Sequence, residues 1–245
     1  MTPQGPGRAA EHVGALVPWA NIVVETELHR VTGDRVAWHY ARLVPPSRTT
    51  GLDHQFLTGL LSAVPSALGQ LAALPLTQVY LACTSAAFMY PELAGQADSS
   101  VPAGGPQLMS AFGALTALLS ELPAASIALL TPYPPDVTDA EAAMFAAEGL
   151  TVTARACLGL KDGYGSVTHR QIMALLRNID LASAEADAIV LSCTGWPTLD
   201  LIPELRRLLG RPVISSNMAI GLHALRKEPD AHCPSRRAKI GRAHV

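Results

Sequence analysis

The stretch "VYLACTSAAF" (79–88) and the stretch "IVLSCTGWPT" (189–198) share one pattern, an apolar run followed by Cys-Thr and a small residue. Short continuous apolar runs that end at turn residues are typical of strands buried in a parallel sheet. The chain has four cysteines, and two of them, Cys83 and Cys193, occupy the same place in this pattern. The repetition indicates two similar halves, each with a buried strand that ends in a thiol.

A second pair of matching segments lies upstream of the two cysteines. The first predicted strand ends in "LVPWAN" (16–21), and a later strand ends in "LLTPYP" (129–134). The asparagine of the first segment precedes its cysteine by 62 positions, and the tyrosine of the second precedes its cysteine by 60 positions. This order and spacing indicate a duplicated α/β unit in which Asn21 and Tyr133 occupy corresponding turns.

Short apolar runs alternate with longer stretches of helical periodicity, which is typical of an α/β protein with parallel sheets. The runs that predict strands are 13–18, 36–42, 78–82, 126–131, 150–156, 187–192 and 212–215. The stretches that predict helices are 53–73, 106–121, 138–148, 167–180, 199–209 and 217–227. Thr138 marks an expected helix start, and Gly210 marks an expected helix end.

The breaker-rich segment "ELPAAS" (121–126) divides the predicted elements into two groups. We expect a first α/β lobe over 1–123, completed by 214–235, and a second α/β lobe over 124–213. The basic segment 236–245 lacks apolar periodicity, and its last residues, "IGRAHV", match a peptide encoded by one frame of a common sequencing adapter. We expect this segment to be a disordered or artefactual tail.

Composition excludes several classes of function. The formal net charge of −2 gives no basic surface for nucleic acid, and no apolar run reaches the length that crosses a bilayer. The first residues lack the apolar region of a signal peptide, so we expect a cytoplasmic protein with reduced cysteines. The cysteines and histidines show no metal-ligand spacing, so we expect no metal site.

The two strand-end thiols predict an active site. Ligands of open parallel sheets bind at the carboxyl ends of the strands, where backbone N–H groups of the following turn can bind an anion. We expect such groups around Cys83 and Cys193, and we expect their positive field to lower the pKa of each thiol toward neutrality. The neighbours that are candidates for binding an anionic substrate are Thr84, Ser85, Thr194 and Gly195, together with Asn21 and Tyr133 in the corresponding turns.

Other residues have simpler interpretations. We interpret Cys157 as a small buried apolar residue. Asn21, considered alone, could be a turn residue. Glu25 and Glu27 read as solvated or capping residues at a helix start. Trp196 either narrows the cleft or packs at the surface, and the histidines, including His223 on a helix face, read as surface or capping residues.

At these residues the chain resembles the aspartate/glutamate racemase superfamily, most closely the branch of maleate cis–trans isomerases and arylmalonate decarboxylases. The segments that carry the resemblance are "LVPWANIVVETEL" (16–28), "LACTSAAF" (81–88), "LLTPYPPDV" (129–137) and the block 190–226. The resemblance implies two Rossmann-like lobes with parallel sheets related by a pseudo-twofold axis, with the active site in the cleft between them.

Residue by residue, the resemblance implies that Cys83 and Cys193 are catalytic. It also implies that Asn21 is the asparagine of the isomerase branch and that a set of hydroxyl-bearing residues binds substrate carboxylate, namely Thr84, Ser85, Tyr133 and Thr194. Maleate isomerases of the family carry a further asparagine in the loop that corresponds to "LKDGYGSV" (160–167), which this chain lacks. Decarboxylases have glycine at the first cysteine position, so Cys83 argues against simple decarboxylation.

The expected function is that of a cofactor-independent two-cysteine isomerase or racemase acting on a small carboxylate or dicarboxylate. The leading candidate is the isomerisation of maleate to fumarate. One alternative is a racemase of the aspartate/glutamate or hydantoin type that transfers protons between two thiols. Another, from a different class, is a catalytically silent dicarboxylate-binding protein. The resemblance leaves the oligomeric state open, with a homo-oligomer compatible with it.

Overall fold

The structure, a computed structural model, describes residues 11–46, 52–89, 105–177, 179 and 185–226. Several expectations lie outside these residues, in part or in whole, including the ends of the predicted helices 167–180 and 217–227. The expected tail at 236–245 is wholly outside, and the completion of the first lobe is outside from 227 onward.

The strands form two parallel sheets of four strands each. The strands of the first sheet are β1 (Glu11–Pro18), β2 (Val36–Leu43), β3 (Gln78–Leu81) and β4 (Gln107–Ser110), arranged in the order β2-β1-β3-β4. Those of the second sheet are β5 (Ser126–Thr131), β6 (Thr151–Cys157), β7 (Ala188–Leu191) and β8 (Val213–Ser215), arranged in the order β6-β5-β7-β8. The two sheets have the same strand order, so the α/β class and the two similar halves expected from the sequence are confirmed.

Helices connect these strands, as parallel strands require. They are α1 (Val24–Thr32), α2 (His54–Ser62), α3 (Val64–Leu71), α4 (Ser85–Phe88), α5 (Ala111–Ser120), α6 (Pro135–Ala147), α7 (His169–Arg177), α8 (Ile202–Leu209) and α9 (Ser216–Leu225). Within the described ranges, none of these helices has both the length and the apolar content needed to cross a membrane.

Local sequence accounts for several helix ends. Side chains of Asp53, Ser110 and Ser215 accept hydrogen bonds from N–H groups in the first turns of α2, α5 and α9, as N-cap residues do. Gly210 ends α8 in the left-handed conformation, with φ 61°, which confirms the expected helix end. Each of these helices therefore begins or ends where its own residues satisfy the free backbone groups.

The central strands are buried on both faces. Every residue of β3 and of β7 is buried, which is the pattern expected of strands covered by helices on both sides. In the first lobe, β1 alternates between two apolar clusters: Ala15 and Val17 pack toward α1 and α5, and Leu16 packs toward α2 and α3. Both sheets are therefore rigid supports for the loops at their carboxyl ends.

Two sequence-based assignments are wrong in detail, and one helix was predicted only at its start. The segment 107–110 is strand β4 and not the start of a helix, because it pairs with β3 at the sheet edge and its last residue caps α5. Helix α6 begins at Pro135, so Thr138 lies inside the helix, where its hydroxyl is buried against Thr131. For helix α1 only a start near Glu25 and Glu27 was expected and no helix range was predicted, since its β-branched residues disguise the helical pattern.

The division into lobes at 123/124 and 213/214 stays a proposal. Residues 121–125 do connect α5 with β5, outside any helix or strand. The second boundary falls inside β8, which belongs to the second sheet. The following helix, α9, packs against α1 and α5 of the first half, so the chain returns to the first half directly after β8.

A buried carboxylate joins these parts. Glu27 on α1 is 3% exposed, so its expected role as a solvated or capping residue is wrong. Its Oε1 accepts hydrogen bonds from the backbone N–H groups of Thr198 and Leu199 at 2.8 Å each. Its Oε2 accepts from Nδ2 of Asn217 on α9 at 2.7 Å. One side chain of the first half thereby fixes the turn after β7 and the start of α9.

We expect Glu27→Ala to destabilise the protein by about 3–5 kcal/mol, because it leaves two N–H groups and an amide without an acceptor in a buried place. The matched control is Glu25→Ala on the same helix. Glu25 pairs with Arg42 near the surface, and losing such a pair costs about 1 kcal/mol or less. Denaturant unfolding measures both; equal losses for the two variants would contradict the role assigned to Glu27.

Candidate active site

The sequence-predicted site residues come together in the fold. All eight line one cavity of about 440 Å³ that is bounded by loops from both halves, namely Asn21, Cys83, Thr84, Ser85, Tyr133, Cys193, Thr194 and Gly195. Asn21 follows β1 and Cys83 follows β3, while Tyr133 follows β5 and Cys193 follows β7.

Strand order explains why these residues meet. In each sheet the chain moves from the first strand to one neighbour and then returns to the opposite side of that strand. The crevice between the two central strands at such a switch point is where open α/β sheets bind ligands. Asn21 and Cys83 flank this crevice in the first sheet, and Tyr133 and Cys193 flank it in the second. The duplicated topology therefore places one thiol and one polar turn residue on each side of the cavity.

Hydrogen-bond donors surround the Cys83 thiol at the start of α4. Its Sγ lies 3.5 Å from the Ser85 hydroxyl oxygen, and the backbone N–H groups of Ser85 and Ala86 also hydrogen-bond to the sulfur. Thr84, between them, donates its hydroxyl to Ser216 Oγ at 3.1 Å. Three donors on one sulfur favour its ionised form relative to an equally buried thiol without them.

The Cys193 thiol has a different environment. The backbone N–H of Gly195 donates to Cys193 Sγ at 3.2 Å, and the Tyr133 hydroxyl also hydrogen-bonds to this sulfur. The backbone N–H of Cys193 donates to Ser216 Oγ at 3.1 Å. Because Ser216 also accepts from Thr84, this serine at the start of α9 links the turns that carry the two thiols.

Burial changes the acidity expected of both thiols. Cys83 and Cys193 are 6% and 4% exposed. Loss of hydration raises the pKa of Cys83 despite its donors, and it raises the pKa of Cys193 to about 12. The expectation that the turns lower both pKa values toward neutrality is wrong, because desolvation outweighs the N–H groups. In the ligand-free protein both groups are therefore neutral thiols at physiological pH.

Asn21 and Thr194 form a link across the cavity. Asn21 Oδ1 accepts from the N–H groups of Val23 and Val24 before α1, and its Nδ2 donates to Thr194 Oγ1 at 3.2 Å. The Thr194 hydroxyl itself donates to Ala82 O at 2.8 Å. Asn21 is thus a turn residue and a cavity residue at once. The hydroxyl proton of Thr194 is engaged by protein, which leaves its backbone N–H as the group that can meet a ligand.

A loop that sequence reasoning treated only as a departure from the isomerases forms the cavity mouth. Tyr164 packs edge-on against Tyr133, with ring centroids 5.5 Å apart. Lys161 and Asp162 are exposed at the rim, and Lys161 is the cationic side chain among the described residues that line the cavity. Trp196 neither narrows the cleft nor lies at the surface, because its side chain is fully buried in the core beside the site.

Sequence reasoning also missed the supporting residues Ser216, Asn217, Glu27 and Glu141. The first two lie in "ISSNMAIG" (214–221), where paired hydroxyl and amide residues interrupt an apolar helix at its start, which was the available signal. The two glutamates carry no local signal of burial.

His223 does lie on a helix, as expected, but its Nδ1 hydrogen-bonds to the Tyr80 hydroxyl at 2.6 Å. Among the described residues, no group of acidic, histidine or cysteine side chains could hold a metal.

Comparison with known proteins identifies relatives of the chain. A profile of the family described as arylmalonate decarboxylase matches residues 92–238. The maleate isomerase of Nocardia farcinica (strain IFM 10152) is 30% identical over 231 residues, which cover 87% of this chain and 88% of that protein. The arylmalonate decarboxylase of Bordetella bronchiseptica is 38% identical over 109 residues, which cover 42% of this chain and 45% of that protein.

Solved structures agree in fold. A variant of the Nocardia farcinica maleate cis–trans isomerase with a covalently bound succinylcysteine intermediate superposes with a TM-score of 0.79 at 26% identity, covering 89% of this chain and 92% of that one. Unliganded arylmalonate decarboxylase superposes with a TM-score of 0.73 at 27% identity, again covering 89% and 92%. The two-lobed architecture is therefore shared along almost the whole length.

We expect Tyr133→Phe to slow the alkylation of Cys193 by iodoacetamide roughly ten- to hundredfold, because a hydrogen bond to a charged group is worth about 1.5–3 kcal/mol and the thiolate is the reactive form. Peptide-level mass spectrometry follows Cys193 alone. The control is Tyr164→Phe, whose lost hydroxyl donates to the carbonyl oxygens of Leu160 and Lys161. Alkylation of Tyr133→Phe at the wild-type rate would show that its hydroxyl does not stabilise the thiolate.

Proposed function

Because the chain belongs to the family of maleate isomerases and arylmalonate decarboxylases, within the aspartate/glutamate racemase superfamily, we propose that it is a cis–trans isomerase of a small unsaturated dicarboxylate. Maleate, converted to fumarate, is the leading substrate. The observation that carries the proposal is the pair of buried thiols, Cys83 and Cys193, which reach one cavity from corresponding strand ends of the two sheets.

The proposed binding of the substrate uses neutral donors. Within the described residues, the backbone N–H groups of Thr84 and Thr194 donate to no protein acceptor, so each can donate to a carboxylate oxygen. The hydroxyl groups of Ser85 and Tyr133 line the same cavity and can turn from a sulfur to a carboxylate. Such charge-assisted hydrogen bonds are strong in a site that excludes water.

The family asparagine that this chain lacks at 160–167 has a candidate replacement. Lys161 lies in that loop at the cavity rim, and none of the ion pairs formed by the described residues involves it. An ammonium group there can attract a dicarboxylate and bind its outer carboxylate. We therefore propose that Lys161 contributes to binding of the second carboxylate.

The environments of the two thiols support a different step for each. The three donors around Cys83 stabilise its thiolate, and the thiolate is the form that must attack the substrate. We therefore propose Cys83 as the nucleophile. The pKa of Cys193, raised to about 12, suits a thiol that holds its proton until a strong base forms beside it. We therefore propose Cys193 as the general acid.

The reaction then proceeds through a covalent adduct. Cys83 first releases its proton to solvent. The resulting thiolate forms a C–S bond to one alkene carbon of maleate, and the π electrons move to the other alkene carbon and its carboxylate. Cys193 gives its proton to that carbon, which leaves a succinyl group on Cys83. Rotation about the new C–C single bond follows. The Cys193 thiolate then removes a proton, the C–S bond breaks, and fumarate leaves with both sulfurs restored.

The relative with a succinylcysteine intermediate supports this route, since that adduct is what the addition and protonation steps produce. The same pair of thiols also favours a second candidate, racemisation of a small carboxylate by proton removal from one face and delivery to the other. Incubation with maleate and with aspartate in deuterated buffer, followed by NMR, separates the two: isomerisation forms fumarate, whereas racemisation exchanges the α-proton. Binding without either change would favour the catalytically silent protein.

We expect Cys83→Ala and Cys193→Ala each to lower the rate of fumarate formation by about two to four orders of magnitude or more, since each removes a nucleophile or a positioned acid. In the Cys193→Ala variant, mass spectrometry after incubation with maleate should detect an adduct on the peptide that contains Cys83.

The control is Cys157→Ala. Cys157 ends β6, half-buried and outside the cavity, so its loss should leave the rate unchanged. Near-wild-type turnover by either cavity variant would refute the two-thiol mechanism, and an adduct on Cys193 in the Cys83→Ala variant would reverse the proposed roles.

A further inference from the structure

One buried titratable group beside the site takes no part in the proposed chemistry. Glu141 on α6 is fully buried, and it does not line the cavity. The hydroxyl of Ser192 donates a hydrogen bond to its Oε1. Its Oε2 is also buried and has no hydrogen-bond partner among the described residues. Glu141 therefore cannot touch a substrate, and any influence on the reaction passes through its neighbours.

Ser192 connects this carboxyl group to the site. It stands between the last residue of β7 and Cys193, and its backbone N–H donates to Leu130 O at 2.9 Å. Its main chain is thus fixed by the sheet, and its side chain is fixed by Glu141. The next residue along the chain carries the thiol. The carboxyl group of Glu141 therefore contacts the residue that connects the end of β7 to Cys193.

Among the described residues, the elements packed around Glu141 place no unpaired cationic side chain against its carboxyl group. The end of β7 contributes Ser192 and Cys193, and the turn after β5 contributes Tyr133, which interacts electrostatically with Glu141. Strand β6 contributes Arg155, whose exposed guanidinium pairs with Asp139. Helix α4 contributes no titratable side chain.

An uncompensated buried carboxylate is costly, so the neutral acid is the stable form. Burial raises the pKa of Glu141 to about 8, although the hydrogen bond from Ser192 lowers it in part. A negative charge on Glu141 in turn raises the pKa of Cys193. The two groups therefore titrate as a coupled pair, in which one charge disfavours the other.

We infer that Glu141 is a positioning residue that holds Ser192 and Cys193 in place as a neutral acid, and that its ionisation opposes thiolate formation at Cys193. The inference rests on the proposed function only in the use made of Cys193: a thiol whose thiolate is disfavoured also transfers its proton less readily. The effect on the thiol itself does not depend on which substrate the site accepts.

The first test compares the alkylation of Cys193 by iodoacetamide in the full-length wild type and in Glu141→Gln, which keeps the shape of the side chain and cannot ionise. At pH 6 Glu141 is neutral in the wild type, so the two rates should agree. At pH 9 the variant should react roughly three- to tenfold faster, because no carboxylate faces its thiolate. A loosened site would instead react faster at both pH values.

The control is Asp139→Asn, on the same helix but exposed and paired with Arg155, and its alkylation profile should match that of the wild type. Ser192→Ala provides a second variant. It removes the hydrogen bond that lowers the pKa of Glu141, so the acid stays neutral to higher pH and alkylation at pH 9 should rise toward that of Glu141→Gln. Wild-type profiles in both folded variants would overturn the inference, whether or not the protein isomerises maleate.

Stability gives an independent measurement. Between the ordinary Glu pKa of 4.5 and about 8, the folded state keeps a proton that the unfolded state releases. The contribution of Glu141 to folding is therefore complete below this range and is lost as the pH rises through it, by up to about tenfold in the unfolding equilibrium constant for each pH unit. Relative to wild type, Glu141→Gln should gain stability from pH 5 to pH 8; a constant difference would contradict a neutral Glu141.

Discussion

The hydrogen bonds that converge on the buried carboxylate of Glu27 are the constraint on which the geometry of the site depends. Helix α1 belongs to the first half, yet Glu27 accepts from Thr198 and Leu199 in the turn that follows the second thiol. It also accepts from Asn217, whose amide donates in addition to the carbonyl oxygen of Thr194 at 3.1 Å. One side chain therefore fixes both ends of the turn that follows Cys193, relative to a helix of the other half. The distance between the thiols is set by this link and by the Ser216 bridge, because neither sheet alone determines how the halves are placed.

The site combines burial with neutral donors, and this combination determines its chemistry. Thiols with raised pKa values are weak nucleophiles in the ligand-free protein. Backbone N–H groups and hydroxyls cost no reorganisation when charge develops, and in a dry cavity they act more strongly than in water. The carboxylates of the proposed substrate would use those donors, so the charge on sulfur and the charge on substrate compete for the same groups. In such a site, one thiol must stay protonated while the other reacts. The different contacts of Cys83 and Cys193 provide this asymmetry.

Much of the fold could be predicted from the sequence, because its central strands are continuous apolar runs and its thiols directly follow them. The residues that support the site could not be predicted in the same way. Glu27 and Thr198 are 171 positions apart in the chain, and nothing near Glu27 marks it as buried. Glu141 lies in a helix rich in alanine and acidic residues, a composition that suits an exposed surface equally well. Strand β4 was missed, and helix α1 was predicted only at its start, for a related reason: the state of these two segments is fixed by pairing with β3 and by packing against α9, and tertiary contacts override local propensity. The raised thiol pKa values were missed because the sequence reveals the N–H groups of a turn but not how completely the turn is desolvated.

The two halves share a strand order but differ at each corresponding position of the site. After the first strand of each half, one turn presents Asn21, whose amide is bonded on both sides by protein, and the other presents Tyr133, whose hydroxyl contacts a thiol. After the third strand, Cys83 precedes a short helix that directs N–H groups at its sulfur, whereas Cys193 precedes a turn in which Gly195 supplies a single N–H group. A symmetric site would give two equivalent sulfurs, and each would then serve equally well as nucleophile or as acid. The observed differences break that equivalence within a duplicated scaffold. The scaffold thus sets where the two thiols stand, and the residues next to each thiol set how readily it gives up its proton.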